Sequence, residues 1–542
     1  MGKTLVYNTG NPEPPGPGKL ELTYGIFFDG TRNNMENTKI RKKVERKGEF
    51  RNVSVTAEEK EIFEKYAKDD NSFGNDFTNV ARKYMCTLKD VYSFYVEGIA
   101  TTDKEDDSGA GFKYGRGKTG VVGKVRNGCK ALADKIFLKL KSETQVEEVE
   151  LTIDIFGFSR GAAAARNFAY NLQLDAYPPK LYYPPVEGAM EMEVDHETSE
   201  FMVIEKSWVK NGLLPQFGHL GTSLLQAGID RELVDSMTIK VRFIGVYDTV
   251  ASYDPTCLLI PNFRKKVDEL HLHELGSPEK AVHFTAADEH RKNFSLTRFV
   301  DVDLKSGIER NFPGVHSDVG GSYNHDVMSA TELSEKGYQP DPAEGVTGQE
   351  YVWLEKAYFS SSLHGYRNEL IEQGWFTERQ LAIEAHWKYV LTGTRFLYRG
   401  YSFIPLHFMC DYALPYLNKK NESLLYSKIM ADYALNDPFL DEVKTYMKEH
   451  IIEKNENWTL KGNFKHEEEP QTEEAPVEEP VGTPSEKPVM AKTLDEVVVT
   501  AYRSDYLLRK LKNRYLHRSA KINTLVDTLA YAPTDDRIRM EF

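Results

Sequence analysis

The run Leu20 to Phe28, the alternating Leu151, Ile153 and Ile155, and the cluster Val241, Phe243, Ile244 and Val246 have the spacing of β-strands. Gly161-Ala-Ala-Ala-Ala-Arg166 is a strong helix former, and Val125 to Lys141 is amphipathic. Strands alternating with helices predict an α/β fold on a mostly parallel sheet. Glu150, Thr152 and Asp154 interleave with the apolar residues of the second strand, whereas a central parallel strand ordinarily reads as a continuous apolar run. Either polar structure covers one face of that strand or the strand lies towards the sheet edge. Farther on, Tyr351, Leu354 and Tyr358, then Leu424, Ile429, Tyr433 and Leu440, fall at helix-compatible intervals and predict a helical extension from about residue 350 to 453.

The second strand runs into Gly157-Phe-Ser-Arg-Gly161 and then into the alanine-rich helix. Strand, tight elbow and helix is the context in which Gly-x-Ser-x-Gly lifts a serine nucleophile above a sheet, and glycine on both sides lets strand and helix approach. Ser159 is the candidate nucleophile; the bland alternative is a loop serine capping the next helix. Its hydroxyl needs a base, ordinarily a histidine oriented by a carboxylate. The first histidine of the chain is His196, so a triad runs Ser-Asp-His or Ser-His-Asp, which excludes the chymotrypsin and subtilisin orders.

Asp248 is the candidate acid, because it follows the third predicted strand and catalytic side chains gather at strand carboxyl ends. Asp254, before Pro255, is its competitor, and a helix cap or turn aspartate is the plain reading. The candidate base is His316 in Asn311-Phe-Pro-Gly-Val-His-Ser-Asp-Val-Gly-Gly321, where an apolar run ends in a small-residue loop. His283 is the alternative base, although Ala281-Val-His-Phe-Thr-Ala-Ala-Asp-Glu-His290 reads as the start of a helix with His283 as a packing or capping residue. Oxyanion donors are expected from the Arg160 amide and from Gly30 and Thr31 in Phe27-Phe-Asp-Gly-Thr-Arg-Asn-Asn34, which a plain Asp-Gly turn would also explain.

Four blocks, Phe27 to Asn34, Gly157 to Ala162, Gly245 to Val250 and Phe312 to Gly321, resemble in order the signature blocks of the α/β-hydrolase domain of type VI secretion phospholipase effectors of the first lipase-effector family. The resemblance spans about residues 20 to 410 and departs at Arg32, where the family often has glycine, and at Tyr247, where it often has tryptophan. It implies an antibacterial phospholipase of A1 or A2 type that cleaves glycerophospholipid acyl esters with Ser159, Asp248 and His316. It also implies a membrane as substrate, a secretion spike or carrier and a cognate immunity protein as partners, and delivery to the periplasm or envelope of a target bacterium. The rival from another class is a non-enzymatic hydrolase-fold adaptor or membrane-disrupting toxin carrier.

Length and composition suit a large enzyme of more than one domain: 542 residues, 40% of them hydrophobic. No stretch is apolar enough for a transmembrane helix, and Met1 to Asn8 lacks the core of a secretory signal, so the chain is expected in the cytoplasm of the producing cell until exported. A net charge of −14 disfavours nucleic acid as a partner. Cys86, Cys129, Cys257 and Cys410 are too scattered for zinc or a disulfide framework and read as buried thiols; no metal or cofactor is expected. Gly109 to Thr119 imitates a phosphate-binding loop, but Gly111 leaves five residues before Gly117-Lys118 where four are needed, so it reads as a mobile glycine loop.

The expected organisation is a catalytic domain over residues 1–345, with an insertion at about 171–235 that serves as a lid or substrate-access element or as plain packing. A helical extension follows over 346–463, lid-like or membrane-proximal, in which Ser402 to Cys410 is a buried helix start or an acyl-chain wall. Residues 464–493 form an acidic, proline-rich linker. Over 494–542 a strand at Leu494 to Ala501 and a basic amphipathic helix with Leu508, Leu511 and Tyr515 on one side are too small to bury a core and should dock on a carrier, another partner or a second copy. Leu494-Asp-Glu-Val-Val-Val-Thr500 also resembles segments near the start of outer-membrane transporters of Bacteroidetes-type bacteria.

Overall fold

Alternate side chains of the central strands enter two separate cores. A computed structural model of the chain describes residues 18–68, 71–87, 93–109, 117–143, 145–179, 181–182, 192–194, 201–251, 267–299, 306–335, 346–357, 360–385, 389–417, 419–462 and 494–519, with Arg539 and Glu541. Its strands are β1 (Lys19–Phe28), β2 (Ser93–Val96), β3 (Glu148–Phe158), β4 (Leu181–Tyr182), β5 (Met192–Val194), β6 (Phe201–Val203), β7 (Thr238–Tyr247), β8 (Lys280–Ala286), β9 (Gly307–Phe312), β10 (Val346–Ala357), β11 (Leu381–Ala385) and β12 (Tyr389–Tyr398). Six of them form the main sheet in the order β2-β1-β3-β7-β8-β9, with every pair parallel.

Ile26, Phe28, Ile153, Ile155, Ile244 and Val246 point into one core, which the helices Val121–Ser142, Arg160–Asn171 and Gly218–Gln226 cover. Phe27, Phe156, Phe158, Phe243 and Tyr247 point the other way, into a core shared with Ile404, Met409, Leu440 and Leu508. Both faces of the sheet are therefore dry, as a parallel sheet requires. The polar alternation of β3 does not place it at the edge: β3 lies between β1 and β7. Asp154 is buried beneath Arg242, which grips it through Nε (3.0 Å) and Nη2 (2.5 Å). Lys83, fully buried, lies 4.4 Å over the Phe156 ring, and burial pushes its ammonium down to about 8.

From β1 the chain moves outward to β2 and then returns to the other side of β1 as β3. The direction of winding reverses between β1 and β3, and open α/β sheets bind ligands beyond the strand carboxyl ends at such a switch point. The residues at that point are Asp29, Gly30 and Thr31 after β1 and Ser159 after β3.

Three expectations change. The helical extension begins with an antiparallel sheet, β10-β12-β11, and Tyr351 and Leu354 lie on β10; Tyr358 is outside the described residues. A three-residue spacing fits a strand or a helix, and the aromatic and β-branched residues of Tyr351-Val-Trp353 favour the strand. The helix Ser360–Glu372 lies between β10 and β11, and further helices follow at Phe403–Ala413, Lys419–Asp432 and Pro438–Met447. The predicted strand at Leu494 to Ala501 is the start of the helix Leu494–Arg514, continuous with an amphipathic stretch whose cooperativity carries it through the valine run. Finally, Leu507, Leu508, Leu511 and Tyr515 are buried in the chain's own second core, and buried Arg395 donates to the carbonyl of Leu516 (2.7 Å). The apolar face expected to dock on a partner is docked at home.

In the insertion, Leu214, Phe217, Leu220 and Leu224 pack into the first core. Tyr183 to Glu191, in the middle of the insertion, lie outside the described residues, as do 110–116 of the glycine loop and the 464–493 linker. Cys86, Cys129 and Cys410 are buried, and Cys257 lies outside the described residues. Among the described residues no helix is long and apolar enough to cross a membrane and no side-chain cluster could hold a metal ion.

Candidate active site

Ser159 joins β3 to the helix Arg160–Asn171 with φ 59° and ψ −130°, a conformation that L-residues adopt only when their surroundings impose it. The surroundings are tight. A Cβ on Gly157 would lie 2.7 Å from Ala162 Cα, and one on Gly161 would lie 2.1 Å from the Asp29 carbonyl oxygen. The Ser159 amide donates to Tyr247 O (3.1 Å), and its carbonyl accepts from the amides of Ala162 (3.0 Å) and Ala163 (3.2 Å). Backbone on every side thus holds the strained residue in place. Among the described residues the Ser159 hydroxyl makes no hydrogen bond, to His316 or to any other group.

Asp248 is the first residue after β7, at φ 42°, with its amide bonded to Phe284 O (2.7 Å). Its fully buried carboxylate accepts from the Ala286 amide (2.9 Å) and from His316 Nδ1 (2.5 Å). Burial opposes the charge, but Arg539 and His316 outweigh it and hold the carboxyl well below the usual range. His316 begins the short helix His316–Gly320, its ring between those of Phe158 (4.5 Å) and Phe294 (4.9 Å). Burial lowers its pKa against the pull of Asp248, which favours the neutral imidazole at neutral pH. With Nδ1–H donating to Asp248, the Nε2 lone pair is the one left to take a proton.

His283 is not at a helix start but within β8, where alternation turns it inward. Its Nε2 accepts from the Thr249 amide (3.1 Å) and its Nδ1 pairs with Glu309 (2.8 Å), so both ring nitrogens are engaged. Asp254 lies outside the described residues. Of the expected oxyanion donors, the Gly30 amide is committed to Asp29 Oδ1 (2.7 Å), whereas the Thr31 amide has no acceptor among the described residues. Arg160 Nε donates to Thr31 Oγ1 (2.7 Å), tying the elbow to that loop.

Three residues stand here that sequence reasoning missed. Asp29, in what reads as a plain turn, is buried under the elbow, where Thr78 (2.6 Å) and Tyr95 (2.5 Å) donate to it; burial pushes its carboxyl up to about 6 against those donors. Glu289 accepts from the His316 amide (3.3 Å) and pairs with Arg291 (2.9 Å). Arg539 grips Asp248 from 291 positions along the chain. A buried acid before glycine at a strand end is a weak signal for the first; nothing in Arg537-Ile-Arg539 marks the last.

A family profile described as "T6SS, Phospholipase effector Tle1-like, catalytic domain" matches residues 25–336. No curated protein matches the chain. Among solved structures, the Tle1 effector bound to the VgrG spike from the Type 6 secretion system is similar at 18% identity and a TM-score of 0.47, over 100% of this chain and 98% of that one. An uncharacterized protein from Pseudomonas aeruginosa is similar at 18% identity and a TM-score of 0.28, over 56% of this chain and 42% of that one. The profile takes in more than half of the sequence and both the elbow and the Asp248–His316 pair, and the chain belongs to the Tle1-like phospholipase effectors of the type VI secretion system.

Proposed function

We propose that the chain is an antibacterial phospholipase of A1 or A2 type that hydrolyses acyl esters of membrane glycerophospholipids through Ser159, His316 and Asp248. The observation that carries this reading is the pairing of Asp248 with His316 Nδ1 at 2.5 Å, at the same strand ends as the strained Ser159. His316 Nε2 takes the hydroxyl proton as Ser159 Oγ adds to the ester carbonyl carbon, and Asp248 stabilises the imidazolium that results. The amides of Arg160 and Thr31 receive the oxyanion. Collapse of the adduct breaks the acyl C–O bond, and His316 gives its proton to the departing lysophospholipid oxygen. Water, deprotonated by His316, then releases the fatty acid from Ser159. The missing Ser159–His316 bond closes as substrate enters, since catalytic hydrogen bonds tighten in the Michaelis complex.

Membership of a secretion-effector family supports carriage by a spike or carrier protein into the envelope of a target cell, and a cognate immunity protein in the producer. The buried face of Leu494–Arg514 is not the carrier contact in this reading; exposed parts of 494–542 remain the candidate. The test is release of fatty acid and lysolipid from phosphatidylethanolamine–phosphatidylglycerol vesicles, whose products separate A1 from A2 cleavage. Loss of release with both Ser159→Ala and His316→Ala is expected. Release that survives Ser159→Ala overturns the triad, and vesicle leakage without any lipid product favours the non-enzymatic toxin.

A further inference from the structure

A buried ionised carboxylate offers about four lone-pair positions to donors. Asp248 Oδ1 accepts from the Ala286 amide (2.9 Å) and Arg539 Nη1 (2.6 Å), and Oδ2 from His316 Nδ1 (2.5 Å) and Arg539 Nη2 (2.7 Å). Among the described residues Arg539 supplies two of the four donors to this carboxylate. Its Nε donates to the carbonyl of Phe294 (2.7 Å), the residue whose ring meets that of His316 edge-on, so one guanidinium braces both the acid and a wall of the base. The neighbouring Glu541 is gripped by Arg298 (2.8 and 2.7 Å) and forms a parallel bridge with Leu296, which anchors the segment beside the site.

We propose that Arg539 is a positioning residue of the active site: supplied from a distant part of the sequence, it orients Asp248 and, by its charge, keeps the Asp248–His316 pair from taking up a proton near neutral pH. The proposal rests on the triad reading given above. The other charges facing the pair do not substitute for it. Glu289 and Arg291 face His316 as a mutually paired couple (2.9 Å), and His283, behind Asp248 on β8, is paired with Glu309 (2.8 Å). Among the described residues Arg539 is the cation that touches the carboxylate. Without it, burial favours the protonated form of the coupled pair whichever atom holds the proton, and the neutral imidazole that can act as base is reached only at higher pH.

Steady-state hydrolysis of a soluble short-chain ester across the pH range, by the full chain and by Arg539→Gln, Arg539→Lys, Glu541→Gln and Ser159→Ala variants, tests this, with thermal unfolding followed for each. For Arg539→Gln, kcat should fall by between about tenfold and the roughly 10⁴-fold that follows loss of a triad carboxylate's charge, with KM little changed. The acid limb of its kcat/KM profile should move to higher pH. Arg539→Lys keeps a cation but loses the two-pronged grip, so its kcat should drop while the limb stays near that of the unaltered chain. Glu541→Gln, which loosens the anchor of that segment, should lower kcat in the same direction as Arg539→Gln but by less. A folded Arg539→Gln protein with unchanged kcat and limb overturns the proposal, and so does one with raised activity, which would make the segment a brake. If the glutamine variant does not fold, the lysine variant decides, and an unaltered kcat there overturns the proposal too. Hydrolysis that persists in Ser159→Ala is the separate failure of the triad reading itself.

Discussion

The nucleophile and the acid–base pair of this site are built by opposite means. Ser159 is held by its immediate neighbours in sequence: two glycines that permit close approach and a helix that starts at the next residue. Asp248 and His316 lie 68 positions apart and meet under an arginine 291 positions from the aspartate. Local geometry stores strain at one end, and long-range charge compensation sets proton affinity at the other. The first should respond to changes of shape, the second to changes of charge and pH.

The largest effects belong to the groups that touch the substrate. Ser159→Ala and His316→Ala should each lower vesicle hydrolysis by about 10⁴-fold or more; Ser159→Ala should barely alter thermal unfolding, whereas His316→Ala empties a buried ring site beside Asp248 and should destabilise by about 1–3 kcal/mol. Ser159→Gly should be as inactive yet more stable than Ser159→Ala by about 1 kcal/mol, because glycine accepts the positive φ. Equal stability of the two would mean that the elbow carries no strain. On the same side, Gly161→Ala places a methyl against the Asp29 carbonyl and should destabilise by about 1–3 kcal/mol while displacing the loop that carries Thr31. A folded Gly161→Ala protein with full kcat would separate that loop from oxyanion binding.

His283 sharpens the contrast from the other side. It is buried and doubly bonded but is not on Asp248, so His283→Asn should lower stability by about 1–3 kcal/mol through the unpaired Thr249 amide and Glu309. The folded fraction should retain activity within severalfold. Activity lost without a loss of stability would return His283 to the chemistry.

The same division explains what the sequence made legible. The elbow could be read because strand, glycine, serine and helix are contiguous, and the sheet because Ile153, Ile155 and their kin alternate. The position of Asp154 could not, since a buried Asp154–Arg242 pair looks like a solvent-facing polar residue until the partner strand is known. Tyr351 and Leu354 have a spacing that two periods share, and the valine run at 497–499 has strand propensity overruled by the helix that continues from it. Arg539 left no trace, because its meaning lies in a contact that no local pattern encodes.

Asp29 lies where the two halves of the comparison meet: a titratable group beneath the strained elbow. Burial pushes its carboxyl up to about 6, above the roughly 3.9 of an unfolded aspartate. The folded state therefore keeps its proton where the unfolded chain has released one. The sign follows: the stability this group contributes is fully present below about pH 4 and is lost as pH rises through about 6. An asparagine in its place would mimic the protonated form, with the amide oxygen accepting from Gly30 and Thr78 and the amide nitrogen facing the Tyr95 hydroxyl oxygen. Asp29→Asn should then gain on the unaltered chain by about 1–3 kcal/mol between pH 4 and pH 7, read as the difference in denaturant unfolding so that other titrations cancel. A difference that does not change with pH would show that Thr78 and Tyr95 keep Asp29 ionised, and that the elbow rests on a charge instead of a proton.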